Sequence, residues 1–339
     1  MDSWAYLKYQ IQHYKKMCIR DSFYAIMILL PFFLQVYRVF GLEIQFFTFI
    51  FDTQENSYTI FYPKGMMIMI YTDTHLHTSF SSDSDTPMEL MIKKGIELGM
   101  KTLCFTEHYD PCYPDTPDKL DFLLDFENYK KTLFSLKEKY ASQIEILYGL
   151  ELGVQPHLGR LLANFYEKYG KDFDFIINSC HIVNNMDPYY GTYFKELGAT
   201  RGLMTYFETV LSNLKAFPHY QSVGHLDYVC RYLPESSQTF FYDHFSDILD
   251  EILIEIIERN RALEVNTAGL KYGLGWPNPD ISILRRYREL GGELITIGSD
   301  AHKPEHMAWE FDKVPVILHR AGFRHYVVFK EKKPVVYDI

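Results

Sequence analysis

The sequence of 339 residues predicts an α/β fold whose parallel strands form a closed or nearly closed barrel. From residue 66 onwards, short apolar runs alternate with amphipathic stretches, which is typical of strand and helix units around a parallel sheet. Seven such units follow one another. Polar residues of metal-binding type follow six of the seven apolar runs. This distribution favours a ring of strand ends over an open sheet, which would gather its site at one switch point.

The strands are predicted where short apolar runs end in turn residues. The candidates are 67–72, 102–106, 144–149, 173–179, 222–224, 262–265 and 293–297. The helices are predicted where apolar residues recur on one face, over 86–99, 125–141, 156–170, 201–217, 243–260, 279–290 and 304–321. Thr86 is the predicted N-cap of the first helix and Pro87 its first residue, and Gly99 and Gly291 mark helix ends.

Composition and charge exclude some classes of function. The chain has 34 Lys and Arg residues against 44 Asp and Glu residues, a formal charge of −10. A nucleic-acid backbone is bound by clustered basic residues, so we predict no nucleic-acid partner. The 5 cysteines form no CxxC pair, which predicts reduced thiols in a cytoplasmic protein.

The first 65 residues differ from the rest, and we predict that they are not part of the folded domain. The apolar run 23–37 is shorter than the roughly 20 residues that a membrane-spanning helix needs, and it contains Pro31. It also lies too far from the start to be the core of a signal peptide. A membrane anchor is therefore not expected, although it stays open as an alternative.

The hexapeptide from Met17 to Ser22 suggests another origin for this segment. It corresponds to the translation of a transposon end used in sequencing libraries, so we interpret residues 1–65 as an adapter or assembly artefact. A natural N-terminal extension that matches by chance is the alternative. The domain is predicted to span residues 66–339, with a natural start at Met66, Met67 or Met69.

Nine candidate metal ligands follow the apolar runs. They are His75, His77, Asp83, His108, Glu151, His181, His225, Asp300 and His302. Imidazole and carboxylate groups hold Zn²⁺, Mn²⁺ and Fe²⁺. Each residue alone has a structural alternative, such as turn capping for Asp83. Their recurrence at successive strand ends favours a metal site, and the one remaining strand ends in a polar segment, 264–267, that is expected to line the pocket.

The motifs around these ligands resemble the polymerase-and-histidinol-phosphatase (PHP) family, and within it the histidinol-phosphatase branch. The motifs are Asp73-Thr74-His75-Leu76-His77-Thr78, Phe105-Thr106-Glu107-His108, Gly149-Leu150-Glu151, Ser179-Cys180-His181, Gly224-His225-Leu226-Asp227 and Gly298-Ser299-Asp300-Ala301-His302. The resemblance covers residues 67 to about 330. It implies a distorted (β/α)₇ barrel of the PHP type with a trinuclear metal site at the C-terminal ends of the strands.

The resemblance also implies which residues hold the three divalent ions. The implied sets are His75, His77, Glu151 and Asp300 for the first ion, Glu151, His181 and His225 for the second, and Asp83, His108 and His302 for the third. Zn²⁺, Mn²⁺ and Fe²⁺ all suit these ligands. The chain has a residue of the required type at every one of these positions, so no ligand is missing.

The implied activity is that of a phosphomonoesterase that hydrolyses L-histidinol phosphate in histidine biosynthesis. Asp300 is the candidate for proton handling and His225 the candidate for protonating the leaving group. Phosphate needs a cationic clamp besides the metals, for which Arg231 is the first candidate and Arg160 the second. An ordinary surface arginine is the alternative for both. Three further expectations concern pocket residues: Tyr228 and Tyr232 at its border, and Asp227 beside His225.

Two other functions stay open. The first is a PHP-family phosphoesterase that acts on another small phosphate ester or a nucleotide. The second is a non-catalytic metal-binding or membrane-anchored protein. The complete ligand set and the short apolar run count against the second. The expected partner is a small-molecule phosphate ester, and the sequence predicts no oligomeric state.

Overall fold

The computed structural model describes residues 48–52, 57–61, 69–234 and 242–339. The chain divides into two units after Met67. In the first unit, β1 (Thr48–Asp52) and β2 (Ser57–Phe61) form an antiparallel hairpin. The apolar run 23–37, the hexapeptide and the predicted domain boundary at residue 66 lie outside the described residues. No helix in the described part of the chain is long and apolar enough to cross a membrane.

A sheet of seven parallel strands forms the centre of the second unit, with the strands in chain order. They are β3 (Thr72–Leu76), β4 (Thr102–Tyr109), β5 (Glu145–Gly153), β6 (Phe175–Ser179), β7 (Ser222–Val223), β8 (Ala262–Asn266) and β9 (Ile295–Gly298). The first and last strands meet where Asp300 N donates to His75 O at 2.9 Å and His77 N donates to Ala301 O at 3.0 Å. The predicted seven-stranded, nearly closed barrel is confirmed.

Helices connect the strands along the chain and pack against the sheet. In the described residues they are α1 (Met88–Glu97), α2 (Phe126–Tyr140), α3 (Gly159–Lys168), α4 (Thr192–Leu197), α5 (Ala199–Ala216), α6 (Ser246–Glu258), α7 (Ala268–Lys271), α8 (Ile281–Glu289) and α9 (Val314–Ala321). Tyr129 shows how a helix is fixed to the sheet. It is fully buried, and its hydroxyl donates to Phe105 O at 2.8 Å and Gly149 O at 3.0 Å. One helix is thereby fixed to two strands.

Three strands end later than the sequence predicts, and β3 also begins later, at Thr72. β3 was expected to end at residue 72, β4 at 106 and β5 at 149, each before its polar residues. His75, His108 and Glu151 therefore lie within strands rather than after them. The polar side chains do not end the strands because they face one another inside the barrel mouth instead of water.

Two helix predictions are wrong in detail. Thr86 does not cap α1, which begins at Met88; its hydroxyl donates instead to His302 O at 3.0 Å. The last predicted helix, 304–321, is α-helical only from Val314, after a 3₁₀ turn at Pro304–His306, because a longer α-helix would place Pro315 in its interior. Short 3₁₀ turns occupy both flanks of α3, Pro156–Leu158 and Gly170–Asp172.

Three short elements were not predicted. Helices α4 and α7 lie in the loops after β6 and β8, and an antiparallel hairpin of β10 (His325–Lys330) and β11 (Lys333–Asp338) follows α9. Both loops line the mouth of the barrel, through Tyr189 and Tyr190 after β6 and through Lys271 and Tyr272 after β8. The core of the second unit is otherwise built as the alternating pattern predicts, with apolar strands covered by the buried faces of the helices.

Candidate metal centre

All nine candidate ligands lie together at the C-terminal ends of the strands, and Glu151 is at their centre. Glu151 is fully buried on β5. Both of its oxygens approach histidine nitrogens. The distances from Oε2 are 3.1 Å to His75 Nε2, 3.3 Å to His77 Nε2 and 3.0 Å to His108 Nδ1, and those from Oε1 are 3.2 Å to His181 Nε2 and 2.8 Å to His225 Nε2.

A second group of ligands surrounds Asp83, in the loop after β3. Its Oδ2 lies 3.1 Å from His302 Nε2 and 3.6 Å from His108 Nε2. The rings of His108 and His302 both stack on His77, with 4.2 Å between ring centroids in each pair. Asp300 lies between the two groups, with Oδ1 3.6 Å from His77 Nε2. The nine side chains therefore form one continuous cluster.

Several of the histidines are oriented by a hydrogen-bond partner outside the cluster. His75 Nδ1 lies 2.6 Å from Glu264 Oε1, and His181 Nδ1 lies 2.7 Å from Asp110 Oδ1. When Nδ1 is held in this way, Nε2 is directed at the metal position, which is the usual arrangement around protein-bound metals. Glu264 belongs to the polar segment 264–267, which was expected to line the pocket; no residue of this segment lines the cavity, and Glu264 contacts His75 instead. Asp110 was not predicted as a site residue. It follows His108 by two residues, and side chains two residues apart in an extended segment point to the same face.

Several polar atoms of the cluster have no hydrogen-bond partner, which indicates whether metal ions fit there. Among the described residues, the buried polar atoms without a hydrogen-bond partner include His75 Nε2, His77 Nε2, His108 Nδ1, Glu151 Oε2, His225 Nδ1 and His302 Nε2. Each such atom costs about 1–3 kcal/mol when it is left unsatisfied. Within this cluster, four groups of three ligands have donor atoms that all lie within 4.8 Å of one another. The cluster therefore fits several divalent cations.

The electrostatics of the cluster also favour bound cations. Burial alone would lower the pKa of His75, but the carboxylates of Glu264 and Glu151 outweigh it and raise that pKa well above its usual value. At His108, burial is likewise outweighed, mainly by Glu151, and the pKa is raised to about 9. The buried carboxylates thus require positive charge beside them. Metal ions can supply it in place of protons, so metal binding is coupled to proton release.

The cluster lies at the bottom of a cavity of about 390 Å³. The loops after β4 and β6 contribute acidic residues to its lining, and the segments after β7, β8 and β9 contribute basic ones. The acidic residues are Asp110, Asp118 and Asp187, and the basic residues are Arg231, Lys271 and Lys303. Asp300, in the segment after β9, also lines the cavity. Tyr228 lies between Asp187 and Arg231: its hydroxyl donates to Asp187 Oδ1 at 3.4 Å, and its ring centroid lies 5.7 Å from the guanidinium carbon of Arg231.

The other predicted site residues divide into those that line the cavity and those that do not. Tyr228, Tyr232 and Arg231 line it. Arg160 does not: it is exposed on α3, away from the cavity lining, and the structure gives it no part in the site. Asp227 follows His225 closely, as expected, but its carboxylate accepts hydrogen bonds from Asn278 Nδ2 at 2.6 Å and Asp280 N at 2.9 Å.

Comparison with known proteins identifies relatives over most of the chain. The model of the PHP domain matches residues 73–268. The probable histidinol-phosphatase of Clostridium acetobutylicum is 32% identical over 268 residues, which is 78% of this chain and 98% of the relative. The histidinol-phosphatase of Lactococcus lactis is 29% identical over 267 residues, or 77% of this chain and 95% of the relative.

A solved structure has the same architecture. The crystal structure of histidinol phosphate phosphatase from Lactococcus lactis, complexed with zinc, L-histidinol and phosphate, has a TM-score of 0.71 and 28% sequence identity to this chain. The match covers 78% of this chain and 98% of that chain.

The contact between Glu264 and His75 yields a prediction about metal affinity. The carboxylate of Glu264 orients His75 and increases the basicity of its imidazole, and Glu264→Gln removes this charge. We therefore expect a 10- to 100-fold loss of affinity for Zn²⁺ at the tightest site. Competition with a chromophoric chelator measures this affinity. Glu251→Gln, on the exposed side of α6, is the control and should bind Zn²⁺ as the parent chain does. Equal affinities in all three proteins would contradict the assigned role of Glu264.

Proposed function

Because the chain belongs to the PHP domain family, we propose that it is a histidinol-phosphatase, an enzyme that hydrolyses L-histidinol phosphate to L-histidinol and inorganic phosphate in histidine biosynthesis. The observation that carries this proposal is a cavity with a cluster of metal-binding side chains at its bottom and both acidic and basic residues in its wall. A phosphate ester that is anionic at one end and cationic at the other matches this distribution. The relatives named as histidinol-phosphatases support the same substrate.

We propose that three divalent ions, Zn²⁺, Mn²⁺ or Fe²⁺, occupy the cluster. The first would be held by His75, His77, Glu151 and Asp300, the second by Glu151, His181 and His225, and the third by Asp83, His108 and His302. Such ions lower the pKa of a water molecule to roughly 7 and offset the charge of the phosphoryl oxygens.

The side chains of the protein would position the phosphate and move the protons. Arg231 and Lys271 lie in the cavity lining, where their charges would bind phosphoryl oxygens that face away from the metals. Asp300 is kept ionised because His75 and His302 outweigh its burial and hold its pKa well below the usual value. We assign to Asp300 the orientation of the attacking water, which would donate a hydrogen bond to its carboxylate. His225, which lines the cavity, is our candidate for protonating the leaving oxygen.

The carboxylate of Asp187 would bind the other end of the substrate. L-Histidinol carries an amino group and an imidazole, both of which can be cationic. Asp187 lies partly buried in the loop after β6; its carboxylate accepts hydrogen bonds from Tyr189 N at 2.8 Å and from the hydroxyl of Tyr113. A carboxylate that is fixed in this way can bind a cation without further ordering. Tyr228 and Tyr232 supply aromatic surface beside it.

The proposed function predicts release of phosphate from L-histidinol phosphate by the full-length chain supplied with Zn²⁺ or Mn²⁺. His181→Ala removes a side chain that lies 3.2 Å from Glu151, and we expect it to lower kcat/KM at least about 100-fold. The exposed His157, outside the cavity, provides the matched control His157→Ala, which should keep full activity. Colorimetric phosphate detection measures all three proteins. Release only from other phosphomonoesters would contradict the substrate, and full activity of His181→Ala would contradict the site.

The assignment of Asp187 predicts a change of specificity. Asp187→Asn keeps the size and an acceptor oxygen but removes the charge, so KM for L-histidinol phosphate should rise about tenfold. KM for p-nitrophenyl phosphate, which has no cationic end, should stay within about twofold. Steady-state kinetics with both substrates measure this difference. Asp115→Asn, at an exposed position in the loop after β4, should change neither value. Equal increases for both substrates would argue that Asp187 only shapes the cavity.

A further inference from the structure

Arg231 is held in the cavity wall by the oxygens of two uncharged side chains. Its Nε donates to Asn278 Oδ1 at 2.9 Å, and its Nη2 donates to Asn266 Oδ1 at 3.4 Å. Its nearest carboxylate is Asp300, whose Oδ2 lies 3.7 Å from Nη1. The side chain of Arg231 is only 7% exposed. A buried cation is costly unless it has charged or hydrogen-bonding partners, so these contacts determine where the guanidinium lies.

The orientation of the Asn278 amide is fixed by a second set of contacts. Its Nδ2 donates to Asp227 Oδ1 at 2.6 Å, which requires Oδ1 to face the other way, towards Arg231. Its backbone is paired with that of Asn266 in both directions, at 2.8 Å each. Asn278, Asn266 and Asp227 are all fully buried. Gly269 leaves room for this amide, because a Cβ there would lie 2.9 Å from Asn278 Oδ1.

The choice of an amide as partner has an electrostatic consequence. An amide oxygen accepts the hydrogen bond and directs the guanidinium but carries no net charge, so the positive charge of Arg231 is not offset on that side. Burial raises the pKa of Asp227 to about 7, and its carboxyl group hydrogen-bonds to Asn278 rather than to Arg231. The acidic group is thus kept one residue away from the guanidinium that lines the cavity.

We propose that Asn278 is a positioning residue for anion binding, which holds the guanidinium of Arg231 in place for the phosphoryl group while leaving its charge available, with Asp227 fixing the Asn278 amide from behind. The proposal rests on the proposed function, because it takes a phosphate group as the anion. Neither Asn278 nor Asp227 lines the cavity, so both act through Arg231.

The test is the affinity of the full-length, Zn²⁺-loaded protein for inorganic phosphate, measured by titration calorimetry and therefore independent of turnover. Asn278→Ala removes the oxygen that directs Nε, and the Kd for phosphate should rise about tenfold. The control Asn164→Ala changes an exposed position on α3 and should leave the Kd unchanged.

A double variant separates positioning from a purely structural role. Asp227→Asn with Asn278→Asp keeps the hydrogen bond between the two residues but moves the acidic group next to Arg231. If Asn278 only stabilises the fold, this variant should bind phosphate as the parent does. The proposal requires the opposite, a Kd raised about tenfold or more at an unchanged Tm. It also remains testable if Asn278→Ala fails to fold.

The outcomes distinguish this proposal from the proposed function. Phosphate Kd values within twofold of the parent in both variants would overturn the role of Asn278, even if the parent hydrolyses L-histidinol phosphate. A parent chain that binds no phosphate would overturn it as well. Weakened phosphate binding in both variants, in a chain that does not hydrolyse L-histidinol phosphate, would support the positioning role and contradict the substrate.

Discussion

The site depends on one physical constraint: the carboxylate of Glu151 is buried at the mouth of the barrel, where it needs positive charge beside it. Five histidine side chains from successive strand ends surround its two oxygens. Nearby charges hold the pKa of Glu151 well below its usual value although burial alone would raise it. A carboxylate that stays ionised there, beside three histidine nitrogens without hydrogen-bond partners (His75 Nε2, His77 Nε2 and His108 Nδ1), is a binding site for cations.

Buried carboxylates also hold the barrel mouth in shape. Asp73 on β3 accepts hydrogen bonds from Ser299 N at 2.9 Å, from Ser299 Oγ at 2.5 Å and from Ala308 N at 3.1 Å, so it ties the first strand to the segment after the last. Burial raises the pKa of Asp73 to about 6. Glu107 similarly accepts from Thr78 and Ser81 in the loop after β3. These residues position the ligands by fixing the backbone on either side of them.

The parts of the site that could be predicted are those with a local signal. His75 and His77, or Asp300 and His302, are recognisable because ligand-type residues repeat after an apolar run, and the resemblance to a family adds the grouping of the ligands. Partners that come from distant parts of the chain have no such signal. Nothing local in the sequence relates Asn278 to Arg231. Arg160, the second candidate for a phosphate clamp, is exposed on α3 and does not line the cavity. The ends of β3, β4 and β5 lie beyond the apolar runs that predict these strands, because each strand continues through at least one buried polar side chain.

The central claim is that the convergent side chains hold three metal ions, and anomalous diffraction tests it most directly. Crystals of the full-length protein grown with Zn²⁺ and measured at the zinc absorption edge should contain three peaks at the bottom of the cavity. One of them should lie beside Glu151 Oε2, near His75 and His77, and a second beside Glu151 Oε1, near His181 and His225. The third should lie beside Asp83, His108 and His302. A single peak, or peaks outside this cluster, would contradict the trinuclear centre and require a different account of the unpaired histidine nitrogens.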